Sequence, residues 1–199
     1  LGAVNRAVTR AVSHQPVVVS TQHSAALGLG YSPPAGWQAV DGSKTSGPAA
    51  IPWVLLAKDP GDLTRAADAR GDVFAYRPGG TVVEVGRPAL TTGPAAAADP
   101  GAVAAVQVLS ITSAPPPGTS VSIARDIRTL KVGGRPAAEV TLRLTRATDT
   151  VYLDRTLIYA PQSQAGSQLV VVDALIPSGD WNSAGASLVQ PVLDSLSFS

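Results

Sequence analysis

The chain has 199 residues, a net charge of +1, no cysteine and no methionine. Its length fits one domain with room for an extension, and the missing cysteines exclude disulfides, thiolate nucleophiles and zinc sites built on sulfur. The charge balance excludes nucleic acid as the main partner: phosphate binding needs a concentrated basic patch, and the only lysines are Lys44, Lys58 and Lys131.

The first residues carry Val4, Val8 and Val12 at helical spacing, with Arg6 and Arg10 on another side. This predicts a short amphipathic helix or the tail of a linker. Residues 1–24 are read as an extension and 25–199 as a single α+β domain. Because the chain begins at Leu1, a mature or trimmed fragment is expected, with a signal peptide or anchor removed upstream.

Val17 to Thr21 is β-branched and predicts a strand, and Leu27 to Tyr31 a second. Ser32-Pro33-Pro34-Ala35-Gly36 is a turn, since its prolines cannot donate to a ladder. Trp37 to Val40 resumes an extended path. Ile51 to Ala57 is a compact apolar run and a core strand, with Trp53 inside it. Asp62 to Arg70 predicts a helical turn or two, with Asp62 near the positive end of the dipole. Val73 to Tyr76 and Thr81 to Val85 read as a hairpin around Arg77-Pro78-Gly79-Gly80.

Residues 86–99 are rich in Ala, Pro and Thr and read as a loop. Asp99 followed by Pro100 is an N-cap and a first helical residue, so Pro100 to Leu109 is a helix. Its expected buried face carries Val103, Val106 and Leu109. The uncharged run from Asp99 to Arg125 contains Pro115-Pro116-Pro117, too broken for a spanning helix of ~20 apolar residues.

Ile127 to Val132 and Ala137 to Thr145 flank Gly133-Gly134-Arg135-Pro136, a hairpin turn. The second strand alternates with period 2. Ala138, Val140, Leu142 and Leu144 fall on one face and Glu139, Thr141 and Arg143 on the other, predicting one dry and one wet face. Val151 to Tyr159 and Gln168 to Ile176 make another antiparallel pair. A helix follows, capped by Asp180 and starting at Trp181. It buries Leu188, Val189, Val192, Leu193 and Leu196 and kinks at Pro191. The sum is an antiparallel β-sheet flanked by helices.

Little in the chain points to catalysis. The histidines, His14 and His23, lack metal-ligand spacing, and there is no nucleophile elbow or phosphate loop. Asp154 and Asp173 lie on neighbouring strands, so a carboxylate-based hydrolase is one alternative. Asp126 with Arg128 and Asp154 with Arg155 read as surface ion pairs. Trp181, at a helix start, and Trp37, beside a turn, are candidate contact residues. Tyr152 and Tyr159 differ in parity and point to opposite faces, and either can line a groove between sheet and helix. Such a groove suits an apolar small molecule or lipid, a second alternative.

Three segments carry a resemblance. Tyr31 to Trp37 is similar to the P-x-G-W opening of many Mog1/PsbP-like proteins, and Gly133 to Ala137 to their G-G-x-P-A hairpin. Val192 to Phe198 is similar to their helix-to-strand ending. Together, over Leu27 to Ser199, they resemble the actinobacterial LpqN-like group of exported lipoproteins. The resemblance implies an α/β/α sandwich and a non-catalytic binding or assembly role at the cell envelope, with a protein or lipid partner. It implies no catalytic residue, cofactor or metal. The expected location is extracytoplasmic, with membrane association only through an anchor lying upstream.

Overall fold

The computed structural model describes residues 21–42, 52–69, 76–87, 99–160 and 168–198. The strands in chain order are β1 (Gln22–Ser24), β2 (Leu29–Tyr31), β3 (Gln38–Asp41), β4 (Trp53–Ala57) and β5 (Val82–Gly86). The long strands β6 (Thr119–Val132), β7 (Arg135–Arg146), β8 (Thr150–Tyr159) and β9 (Leu169–Pro177) follow, and β10 (Ser197–Phe198) closes the series. The helices are α1 (Pro60–Asp68), α2 (Pro100–Ser113), α3 (Ser178–Ala184) and α4 (Gln190–Ser195).

Strands β3-β4-β5-β9-β8-β7-β6 form one antiparallel sheet, and β1-β2-β10 a small second one. The large sheet is covered on both faces. On the back face, Leu63 and Ala66 of α1 and Val108 of α2 join Leu142 and Leu153 in one apolar cluster. On the front face, Leu29 of β2 and Val192 and Leu193 of α4 cluster with Val54, Val83 and Ala174. This is the expected α+β sandwich, with the sheet as its middle layer.

Local chemistry explains the main elements. Asp59 caps α1 by accepting from Gly61 N at 2.8 Å, and Pro60 takes the first helical position, where no N–H is needed. Asp99 and Pro100 repeat the device in α2. The β6–β7 turn needs left-handed backbone at Gly133 (φ 55°) and Gly134 (φ 77°), which side-chain-bearing residues adopt only with strain.

Several expectations are corrected. Strand β5 is paired on its two sides by β4 and β9, and Tyr76 lies outside any strand; the rest of the first hairpin arm expected over Val73 to Tyr76 lies outside the described residues. Helix α2 runs on to Ser113 and buries Val103, Ala104 and Val108, leaving Val106 57% and Leu109 66% exposed. The final helix is two helices. A 3-10 turn (Gly185–Leu188) separates α3 from α4, and Pro191 sits in the first turn of α4, so the chain restarts there rather than kinking. Asp180 lies inside α3 and does not cap it. The predicted N-terminal helix and the strand from Val17 to Ser20 lie outside the described residues, and β1 begins within the segment read as an extension.

Candidate functional site

Register places three polar rows across the front face of β6, β7 and β8. They are Ser122–Arg143–Tyr152, Arg125–Thr141–Asp154 and Arg128–Glu139–Thr156. Continued into β9, the same rows become apolar, at Ile176, Ala174 and Val172. The front face is therefore split, oily under α4 and polar toward the β6 edge.

The face predicted to be wet is wet only in part. Arg143 is exposed, but Glu139 is 4% and Thr141 0% exposed. Glu139 is held by Arg128, whose Nη2 donates to both carboxylate oxygens at 2.9 and 2.8 Å. Asp154, also buried, accepts from Thr141 Oγ1 at 3.3 Å. Burial and the neighbouring Glu139 charge push its carboxyl up to about 7, against the weaker pull of Thr141, Arg125 and Arg128.

Above this layer stands an aromatic stack. Tyr152, two residues before Asp154 on β8, faces Trp181 of α3 with ring centroids 4.4 Å apart and planes 13° apart. The Arg125 guanidinium lies 4.8 Å from the Trp181 ring centre, within cation–π range. Gly185, with φ 57°, follows α3 where a Cβ would lie 3.7 Å from the Arg125 Nη2. Both aromatic rings are half-buried and Arg125 is exposed.

The structure thus brings together Trp181 and Tyr152, and separates them from Tyr159 and Trp37. Tyr159 packs on the back face with the cluster of Val103 and Leu157. Trp37 packs against the front core and lines a cleft of about 560 Å³ between α1 and α3, with Lys58, Asp59 and Asp180. That cleft is braced by carboxylates. Asp180 accepts from Thr81 N and Oγ1 at 3.0 and 2.8 Å. Asp62, 1% exposed, accepts from Gly79 N, Gly80 N, Tyr76 Oη and Arg65 Nη2 at 2.7–2.9 Å. Burial alone would raise its carboxyl; those hydrogen bonds outweigh it and hold it below the usual carboxylate range. Tyr76 is pushed upward by burial and by the same bond.

The paired-carboxylate reading fails on register. Asp173 is opposite Arg155, and Asp154 opposite Ala174, so the two aspartates lie on opposite faces of the sheet. Asp173 accepts from Arg155 Nε and Nη2, both at 2.7 Å, while Arg155 Nη1 donates to Gln107 of α2 at 2.9 Å. The expected pairs with sequence neighbours are likewise replaced: Arg155 takes Asp173, and Arg128 takes Glu139. Among the described residues no group of three or more His, Cys, Asp or Glu is arranged to hold a metal, and no helix is long and apolar enough to cross a membrane.

Sequence reasoning missed Arg125, Arg128, Glu139 and Thr141 as site members. Glu139 and Thr141 share parity on β7, but Arg125 and Arg128 have opposite parity on β6 and reach the same face only through register shifts on either side of Arg125, which periodicity does not reveal.

No family model and no curated protein matches the chain. Among solved structures it resembles cyanobacterial PsbP (CyanoP) from Synechocystis sp. PCC 6803. The TM-score is 0.54 at 11% identity, over 100% of this chain and 99% of that one. The fold is accordingly that of the Mog1/PsbP-like α+β sandwiches. A second similar structure is LpqN of Mycobacterium tuberculosis, described as involved in cell envelope biogenesis. Here the TM-score is 0.46 at 11% identity, covering 93% of this chain and 86% of that one. At such identities the likeness concerns the fold and assigns no residue a role.

Proposed function

We propose that this chain is a non-catalytic, extracytoplasmic binding or assembly module that docks a protein partner on the open part of its front face. The Tyr152–Trp181–Arg125 stack carries the reading. Tryptophan, tyrosine and arginine are the residue types that dominate binding energy at protein interfaces, above all where neighbouring elements hold them rigid. Here β8 and α3 hold the rings and β6 supplies the guanidinium. The extracytoplasmic setting rests on the likeness of Tyr31–Trp37 and Gly133–Ala137 to segments of exported proteins.

The rival readings find less support. A hydrolase built on Asp154 and Asp173 would need them on one face. A carrier of apolar molecules would need an oily groove beside Tyr152, and Trp181 fills that space. The cleft at α1 sets Trp37 and Leu188 among Lys58, Asp59, Asp62 and Asp180, so charged side chains share its lining.

The test is site-specific photocrosslinking in cells that make the protein, with benzoylphenylalanine at position 181 and, as control, at the exposed position of Thr64 on α1. A discrete protein adduct from 181, absent from 64 and lost with Arg125→Ala, is the expected result. Adducts of equal pattern from both positions, or lipid adducts alone, would overturn the reading.

A further inference from the structure

The sign of the exposed charge around the stack identifies the kind of partner. On the front face of β6 to β8 the carboxylates in the paired rows, Glu139 and Asp154, are buried, whereas the guanidinium groups of Arg125, Arg128 and Arg143 are exposed. Arg128 is committed to Glu139. The side chain of Arg143, directly opposite Tyr152, has no hydrogen-bond or ion-pair partner among the described residues. Arg125 is engaged with the Trp181 ring face, a contact that uses the face of the guanidinium and none of the N–H groups in its plane. Asp126, exposed and without a register partner, is the one acidic neighbour on β6.

We propose that this ledge grips an acidic segment of another protein, with carboxylates on Arg125 and Arg143 beside the Tyr152–Trp181 stack, and that the buried Asp154 beneath limits how tightly it is held. The proposal rests on the docking role given above and names its partner's chemistry. Guanidinium and carboxylate match as planar forks, so each arginine can donate two parallel N–H bonds to one carboxylate. Two arginines beside rigid rings suit a protein segment better than an anionic membrane, which is recognised by clusters of four to eight basic side chains.

Asp154 acts through charge, not contact. The groups that face it are Thr141 and Glu139 on β7, Arg125 and Arg128 on β6, and Tyr152 and Thr156 on its own strand; β9 contributes Ala174, and Trp181 of α3 stacks on Tyr152. An ionised Asp154 lowers the positive potential at the ledge, and a neutral one restores it. Affinity for an acidic ligand therefore rises as Asp154 takes up its proton, on going from pH 8 to pH 6.

The experiment uses a fluorescein-labelled peptide of alternating Glu and Gly and reads anisotropy with the whole chain. Saturable binding is expected, weakened at least fivefold by Arg143→Ala and by Arg125→Ala. Lys58→Ala, which removes the same charge at the remote cleft rim, should leave it unchanged. Binding should tighten several-fold from pH 8 to pH 6, and Asp154→Asn should be tight at both. The pH series on the unaltered protein tests the same point if that variant does not fold. Absence of saturable binding, equal loss with Lys58→Ala, a flat pH series, or arginine-dependent binding to phosphatidylglycerol vesicles in place of the peptide would each overturn the proposal. If the peptide fails while the adduct from position 181 persists, the docking role stands and the acidic partner falls.

Discussion

Asp62 and Asp154 are the same residue buried to nearly the same degree, 1% and 3% exposed, in opposite electrical circumstances. Asp62 sits among donors: two backbone N–H groups, a phenol and a guanidinium. Asp154 sits under Thr141 and next to another carboxylate, Glu139. The first region is a clasp, in which α1 fastens the loop running into β5. The second is an unbalanced layer beneath an exposed ledge. The lesson is that burial does not fix what a carboxylate does; the count and sign of its neighbours do. A clasp uses up all its polar capacity internally, whereas a layer left unbalanced responds to what arrives from outside.

The strongest way to break this comparison is to remove Asp62. Asp62→Ala strands Gly79 N, Gly80 N and Tyr76 Oη, and should cost about 3–5 kcal/mol in urea unfolding. A loss under about 1 kcal/mol would mean the clasp is not what holds that loop. Removing Arg155 tests a satisfied pair of the other kind. Arg155→Ala leaves Asp173 and Gln107 without their partner and should cost about 3 kcal/mol, measured the same way.

Titration sharpens the contrast, because the two aspartates give slopes of opposite sign. Asp154 has its folded-state value raised from 3.8 to about 7. Between those values the folded chain holds a proton that the unfolded chain lacks, so stability falls as pH rises through that window. The total is about 2–4 kcal/mol, flat above pH 7. Asp62 is lowered below 3.8, so its contribution is present above that value and is lost as pH falls through its folded value. Chemical unfolding from pH 3 to 8 should show both limbs. Asp154→Asn should remove the neutral limb and Asp62→Asn the acid one; a single variant that removes both would merge the two regions into one.

Smaller effects follow from the surface. Trp181→Ala should cost about 1–2 kcal/mol, since the stack adds about 0.5–1.5 kcal/mol to a half-buried ring, and should change the near-ultraviolet circular dichroism. Leu109→Lys, on the exposed side of α2, should change stability by less than about 0.5 kcal/mol.

Where one rule governed the local backbone, the fold could be read from residues alone. Asp99-Pro100 announced α2, Gly133-Gly134 the β6–β7 turn, and the alternation from Ala138 to Leu144 the dry face of β7. Parity also placed Tyr152 and Tyr159 on opposite faces. What parity cannot say is whether a face is covered. Glu139 and Thr141 looked solvated because nothing in β7 reveals that Arg128 pairs with Glu139, that Arg125 lies opposite Thr141, or that α3 returns to stack Trp181 nearby. Asp154 and Asp173 looked like partners because strand adjacency was legible and register was not; a single residue of register decides the face. Val106 and Leu109 misled for another reason. Helix α2 carries apolar residues all round, so its buried side is set by Val103, Ala104 and Val108 meeting β7 and β8, not by spacing.

The small sheet has its own consequence for how the chain comes into being. Strand β2 is bordered by β1 on one side and by β10 on the other, with Gly30 opposite Ser197 and Leu29 opposite Phe198. A nascent polypeptide emerging from a ribosome presents β2 long before β10 has been synthesised. Until then one margin of β2 stays open to any passing strand. Such long-range closure is slow and invites aggregation, so production of this protein should be improved more by a slow supply of chain and a holding chaperone than by any change at its interior.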